Sequence, residues 1–204
     1  MKIHCILGVL DTPRGHEIKE ELINWFSNDY EIECVVHDGS QYEYSAIKRA
    51  IELSVESNAP VLYIHTKGAW NINPALTKND EKYYMCPQCH PPKDAIILDW
   101  QKTVRKMWRS EFVDNKEWYI NQCSTATPTV CAPYVSDSKH TWTNAFMFNA
   151  SAAKQLYPLK FNTNRWSYEK LWNGTSCQCT GRVFEHMNSY PAMYSWKSDV
   201  WTYF

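Results

Sequence analysis

Val61-Leu62-Tyr63-Ile64-His65-Thr66-Lys67-Gly68 decides how this chain is read. Four apolar residues in a row suit a strand buried on both faces, as in a parallel sheet, and the run stops at a polar turn. Such a strand delivers His65, Thr66 and Lys67 to the carboxyl edge of its sheet. In open α/β sheets that edge is where ligands bind.

The residues before it give the strand its partners. Lys2 to Leu10 is a second apolar run, ending at Asp11-Thr12-Pro13-Arg14-Gly15, which reads as a loop. Ile18, Leu22 and Phe26 recur at four-residue spacing and predict an amphipathic helix. Ile32 to Val36 predicts a short strand stopped by His37-Asp38-Gly39. Ser40 and Glu43 have capping-box spacing, and Ile47, Ala50, Ile51 and Val55 carry a second helical stripe. Strand, helix, strand, helix, strand at this spacing predicts βαβ units. The fold class expected is α/β, a Rossmann-like mixed, mostly parallel central sheet flanked by helices. Residues 1–204 are read as one domain, with 1–68 as its βαβαβ half and 69–204 as the remainder.

Between Gly68 and Lys93 the pattern gives way to Asn, Pro, Lys and Cys, a loop length usually associated with function or with mobility. Ile97, Trp100, Val104, Trp108 and Phe112 then predict a third helix. Its Lys102, Arg105, Lys106 and Arg109 form a basic face, read either as solvated or as a contact for an anion. Trp118 to Ile120 and Thr129 to Val135 read as short strands. Ala145 to Phe148 is a further strand, followed by a short helix from Ala152 to Leu156, and Asn164 to Glu169 opens another helical piece.

Composition limits the functions open to the chain. Hydrophobic residues are 44% and charged residues 21%, as in ordinary globular proteins, and the net charge of −1 provides no global field to gather nucleic acid. An anionic substrate therefore needs a local site. No apolar run is long enough for a membrane span, and Met1-Lys2-Ile3 leads directly into a strand, so a cytoplasmic location is expected. Cys5 and Cys34 sit in apolar runs and are expected as reduced core thiols. The 10 Trp and 13 Tyr suit a ring-rich core, and equally stacking against sugar faces.

At the end of the first strand, Gly8, Leu10, Asp11 and Thr12 place a small residue and two hydrogen-bonding side chains where a base or ribose would sit. Asp38 would lie alongside. Neither a G-x-G-x-x-G nor a P-loop is present. Four segments then follow in order: Tyr63 to Gly68, Asp99-Trp100, Asn144 to Ala150, and Asn164-Arg165-Trp166-Ser167-Tyr168-Glu169. This series resembles the "HTKG" group of GT-A-type glycosyltransferases, which build bacterial and viral surface polysaccharides. Over about residues 1 to 172 the chain is similar to the amino-terminal glycosyltransferase domains of chlorovirus capsid-glycan proteins.

The resemblance implies a GT-A-like fold whose first half, 1–68, binds a UDP-sugar donor and whose second half, 69–204, meets the sugar and a glycan or glycoprotein acceptor. It implies hexose or deoxyhexose transfer, in host cytoplasm for a viral protein, within what is in relatives a larger multidomain chain. Glu169, His65 and Lys67 are the implied catalytic residues. Gly8, Leu10, Asp11, Thr12, Arg14, Asp38, Thr66, Gly68, Asn149 and Arg165 are the implied donor-binding residues. Arg165 and Glu169 also have the i, i+4 spacing of a plain helix pair. Asn149 lies in Phe148-Asn149-Ala150-Ser151, which resembles the Phe-Asn-Ala-Gly turn of glycogenin-type transferases.

GT-A enzymes usually hold Mn²⁺ or Mg²⁺ with an Asp-x-Asp at the third strand end. This chain departs from that, with His65 and Lys67 there and no Asp-x-Asp. His65, Asp80 and His186 remain candidate metal ligands, and Lys67 is a point cation for phosphate. Cys86-Pro87-Gln88-Cys89-His90 matches a haem-attachment pattern, which the expected location disfavours. Cys86 and Cys89 with Cys177 and Cys179, or with His90, make a candidate structural zinc clip, although C-x-C is a poor second half. Two non-enzymatic readings stay open beside the transferase: a carbohydrate-binding module and a zinc-clipped interaction domain.

Overall fold

The apolar run at the start of the chain forms β1 (Ile3–Leu10), and every residue from Cys5 to Leu10 is buried. The computed structural model describes residues 2–41, 43–66, 100–133, 145–162, 168, 171–172 and 176–179. After β1 come α1 (Pro13–Phe26), β2 (Tyr30–His37), α2 (Tyr44–Ser57) and β3 (Val61–His65). Next are α3 (Trp100–Arg109), a π-helical turn (Ser110–Asp114) and α4 (Lys116–Cys123). They are followed by β4 (Thr129–Ala132), β5 (Phe146–Phe148), α5 (Ala150–Leu156) and β6 (Ser176–Cys179).

The strands form one mixed six-stranded sheet in the order β2-β1-β3-β5-β4-β6. β1 runs parallel to both β2 and β3, β5 is antiparallel to β3 and β4, and β6 is parallel to β4. The α/β class expected from the sequence is therefore present, as a mixed sheet with helices on both faces. Side chains alternate between the faces with the strand period of two. Cys5, Leu7, Val9, Leu62, Ile64, Cys131 and Met147 pack with α1, α3 and α4. Ile6, Val61, Tyr63, Val130, Phe146 and Phe148 pack with α2 and α5.

Several local expectations need correction. Asp11 to Gly15 is not a loop, because Pro13 starts α1 and Thr12 is its N-cap, with Thr12 Oγ1 accepting from the Gly15 N–H at 2.9 Å. Proline at the first helical position loses no hydrogen bond and has the right φ already. Trp118 to Ile120 is helical, within α4, and not a strand. The β-forming side chains misled there; Tyr119 and Cys123, four apart, are the residues α4 buries. Cys34 is exposed, because β2 is an edge strand whose outer positions face solvent. Ser40 and Glu43 form no capping box, since Glu43 is the N-cap of α2 and makes no side-chain cap bond.

The basic face of α3 is split. Arg105 is 1% exposed and its Nε donates to Glu21 Oε1 of α1 at 2.7 Å, while Lys106 and Arg109 are exposed. A guanidinium at that depth survives only with a carboxylate partner. On the same side Glu111, fully buried, accepts from the Tyr119 hydroxyl at 3.1 Å, and the Tyr30 hydroxyl donates to the Phe112 carbonyl.

The turn from β1 into α1 is tight enough to need glycine. A Cβ on Gly15 would lie 1.9 Å from the Leu10 carbonyl oxygen, which is backbone and has nowhere to go. Gly15→Ala is therefore expected to cost about 3 kcal/mol or more in urea unfolding. A variant as stable as the parent would show that the strand does not enter the helix this way.

Candidate functional site

The parallel strands β2, β1 and β3 end at one edge, and β1 sits between the other two. The next strand after β1, β2, lies on one side of it, and the strands that follow β3 lie beyond β3 on the other, so the carboxyl ends of β1 and β3 flank a change in strand order, a topological switch point. Ligand crevices of open α/β sheets form at such points because the two connections diverge there. The antiparallel register of β5 and the direction of β4 and β6 bring Ala145, Pro133 and Cys179 to the same edge.

Three hydrogen bonds tie the strand ends together. Thr66 N–H donates to the Gly8 carbonyl at 2.9 Å, and Leu10 N–H donates to Thr66 Oγ1 at 3.0 Å. On the other side Asp11 N–H donates to the His37 carbonyl at 2.8 Å. Of the candidate donor residues, Gly8, Leu10 and Thr66 thus hold the edge in shape from within. Asp11 is exposed, its Oδ1 at 2.9 Å from His16 Nε2. Thr12 caps α1, and Arg14 lies in the first turn of α1 at 2.8 Å from Glu17. Asp38 is exposed in the turn after β2, where Gly39 takes a left-handed φ of 81°. Asp38 Oδ1 accepts from Ser40 N–H at 2.8 Å, and bonding to Ser40 holds its carboxyl below the ordinary value.

His65 ends β3 and is 9% exposed. Its ring lies parallel to that of Tyr63 two residues earlier, at 3° and 6.2 Å between centroids, and 5.4 Å from that of Trp108. His65 Nδ1 is 3.3 Å from Glu43 Oε1 at the start of α2. Beneath this pair the Tyr63 hydroxyl is buried without a hydrogen-bond partner among the described residues. Burial, and then the Glu43 charge, push its pKa well above the usual value. Gly8 faces the same group: a Cβ there would meet Ala46 Cβ at 3.1 Å, His65 Cβ at 3.4 Å and the Tyr63 hydroxyl at 3.4 Å. The structure therefore collects Gly8, His65 and Thr66 from the sequence-based candidates, and adds Glu43 and Tyr63.

Asn149 belongs elsewhere. Phe148 is in register with Val61, at the amino end of β3, so Asn149 lies at the edge opposite His65. Its amide is also fully used. Oδ1 accepts from Thr129 N–H at 3.1 Å and from Ala152 N–H at 2.9 Å, and Nδ2 donates to the Thr125 and Thr127 carbonyls at 2.9 and 2.7 Å. Asn149, expected near the sugar, is the N-cap of α5 and also pins the loop before β4. Lys67, Gly68, Asp80, Arg165, Glu169 and His186, together with Cys86, Cys89 and His90, lie outside the described residues. The backbone of Cys177 and Cys179 lies in β6.

No three His, Cys, Asp or Glu side chains converge among the described residues. His65 and Glu43 are two such groups, fewer than a divalent cation needs, so the described residues alone do not complete a metal site. None of the described helices is long and apolar enough to cross a membrane. Comparison with family models, curated proteins and solved structures returned no match to the chain.

Glu43 gave no functional signal in sequence, because its spacing from Ser40 has a complete local explanation. Its role depends on α2 folding back over β3, and only the tertiary contact reveals it. His37 read as a strand stop; its Nδ1 is buried and has no hydrogen-bond partner among the described residues.

Burial lowers the His37 pKa below 6.5, with Glu43 and Asp38 pulling it upward less strongly. The folded state thus resists protonating a group that the unfolded chain protonates readily. Stability from this histidine is complete above 6.5 and is lost as pH falls from there through the folded pKa. Urea midpoints measured across that window should fall more steeply for the parent than for His37→Asn. Parallel curves would remove His37 from the pH dependence.

Proposed function

We infer that the protein is a glycosyltransferase that uses a nucleotide sugar, most simply a UDP-sugar, and passes a hexose or deoxyhexose to a glycan or glycoprotein acceptor. The observation that carries this reading is the polar group built at the β1–β3 switch point: Gly8, His65 and Thr66 packed with Glu43 and Tyr63, and Asp11 exposed beside them. The resemblance of Tyr63 to Gly68 and of Asn164 to Glu169 to the HTKG transferases supports the same conclusion, as does the βαβαβ arrangement of a GT-A-like first half. A parallel β2-β1-β3 core with β5 reversed against β3 is compatible with that fold.

The chemistry sets what the site must provide. The bond from the anomeric carbon to the diphosphate breaks, and a bond to an acceptor hydroxyl forms. Negative charge grows on the departing diphosphate, and preorganised cations or donors must meet it. Lys67, directly after Thr66, is assigned to that charge. The anomeric centre gains positive character and the hydroxyl must lose a proton, so a carboxylate is needed nearby, and Glu169 is assigned to it. If Mn²⁺ or Mg²⁺ takes part, ligands beyond the described residues must complete its site. A cytoplasmic location, in the host for a viral protein, agrees with this reading.

Binding and turnover separate the two assignments. UDP should raise the melting temperature while AMP and NAD leave it unchanged, because a ligand stabilises only the state it binds. Lys67→Ala should weaken UDP binding about tenfold, the cost of one charged hydrogen bond. Glu169→Gln should bind UDP normally and release it from donor sugars at least about tenfold more slowly. A protein indifferent to every uridine nucleotide would contradict the reading.

A further inference from the structure

We propose that Glu43 is the positioning residue of His65, fixing which ring nitrogen faces α2 and which faces away from it. The proposal rests on the reading above that this edge binds a nucleotide sugar, and it adds a residue which neither motif nor resemblance supplied. Two independent observations carry it. The first is the contact itself, Glu43 Oε1 to His65 Nδ1 at 3.3 Å, between side chains only 17% and 11% exposed. The second is what Glu43 leaves undone. It occupies the N-cap of α2, where its carbonyl accepts from the Ile47 N–H at 3.0 Å, yet its side chain makes no cap bond, a contribution that a capping side chain normally makes at about 1 kcal/mol.

The packing explains why a polar partner is needed. Tyr63 stacks parallel to the imidazole and Trp108 lies against it, so the plane of the ring is set by its aromatic neighbours. A half-turn of the ring within that plane exchanges nitrogen for carbon and leaves the stacking nearly unchanged. Only a hydrogen bond distinguishes the two states. A carboxylate accepts and cannot donate, so it selects the ring with a proton on Nδ1. In the neutral ring Nε2 then carries a lone pair, and His65 acts as an acceptor for hydroxyl or N–H groups. A second-sphere carboxylate acting on histidine in this way is a common device for setting ring orientation and basicity.

Nitrogen-15 NMR of the histidine rings, in mildly alkaline buffer, tests this directly, with UDP affinity measured alongside. The parent should show His65 as the Nδ1–H tautomer. Glu43→Ala should move it to Nε2–H and weaken UDP binding about tenfold, whereas Glu43→Gln, which keeps an acceptor oxygen, should stay within about threefold. In a His65→Ala background, Glu43→Ala should add nothing further, because Glu43 acts through the ring. A parent ring protonated on Nε2 overturns the proposal even if Glu43→Ala fails to fold. So does a folded Glu43→Ala that binds UDP like the parent, or a full additive loss in the double variant. If the parent binds no uridine nucleotide, the functional reading falls by itself, and the parent's tautomer still decides whether Glu43 positions the ring.

Discussion

Thr66 joins β3 to β1 twice, and the geometry of the candidate site depends on that join. Its N–H continues the parallel ladder onto the Gly8 carbonyl, and its hydroxyl then takes the Leu10 N–H that the next backbone carbonyl would otherwise serve. The ladder therefore ends with both of these donors met. A crevice between β1 and β3 requires such a clean ending. His65 is fixed in place because the residue after it is bonded on both sides.

From this join the two faces of the sheet take on different tasks. The face carrying α1, α3 and α4 is an apolar core that holds a deep ion pair, Arg105 with Glu21, linking two helices. The face carrying α2 and α5 is apolar below and polar at its upper rim, where Glu43, His65 and Tyr63 meet beside Gly8. Buried polar groups cost stability unless they are paired, so a Tyr63 hydroxyl that has no partner among the described residues, under an ion pair, marks a place where the fold is not optimised for stability alone. Such places are where function is usually found.

The first half of the fold was legible because its signals are local. Continuous apolar runs gave β1 and β3, and the spacing of Ile18, Leu22 and Phe26 gave the buried face of α1. The polar edge after Ile64 could also be read. What could not be read arises from contacts distant in sequence. Glu43 looked like half of a capping box, and its tie to a strand more than twenty residues later has no sequence period. Trp118 to Ile120 looked like a strand because bulky side chains favour pleated surfaces, but packing against Phe112 made it a helix. Asn149 lies at the edge opposite His65, which its motif could not show: a motif carries residue identity and not strand direction, and β5 runs antiparallel to β3.

The central claim is that ligand meets this chain at the β1–β3 carboxyl edge. Amide chemical-shift mapping during a titration with UDP tests it most directly. The account predicts the largest shifts at Leu10, Asp11 and Thr66, with Asn149 and Ala152 at the opposite edge unmoved. Shifts centred on Asn149 and α5, or none at any amide under saturating UDP, would contradict it.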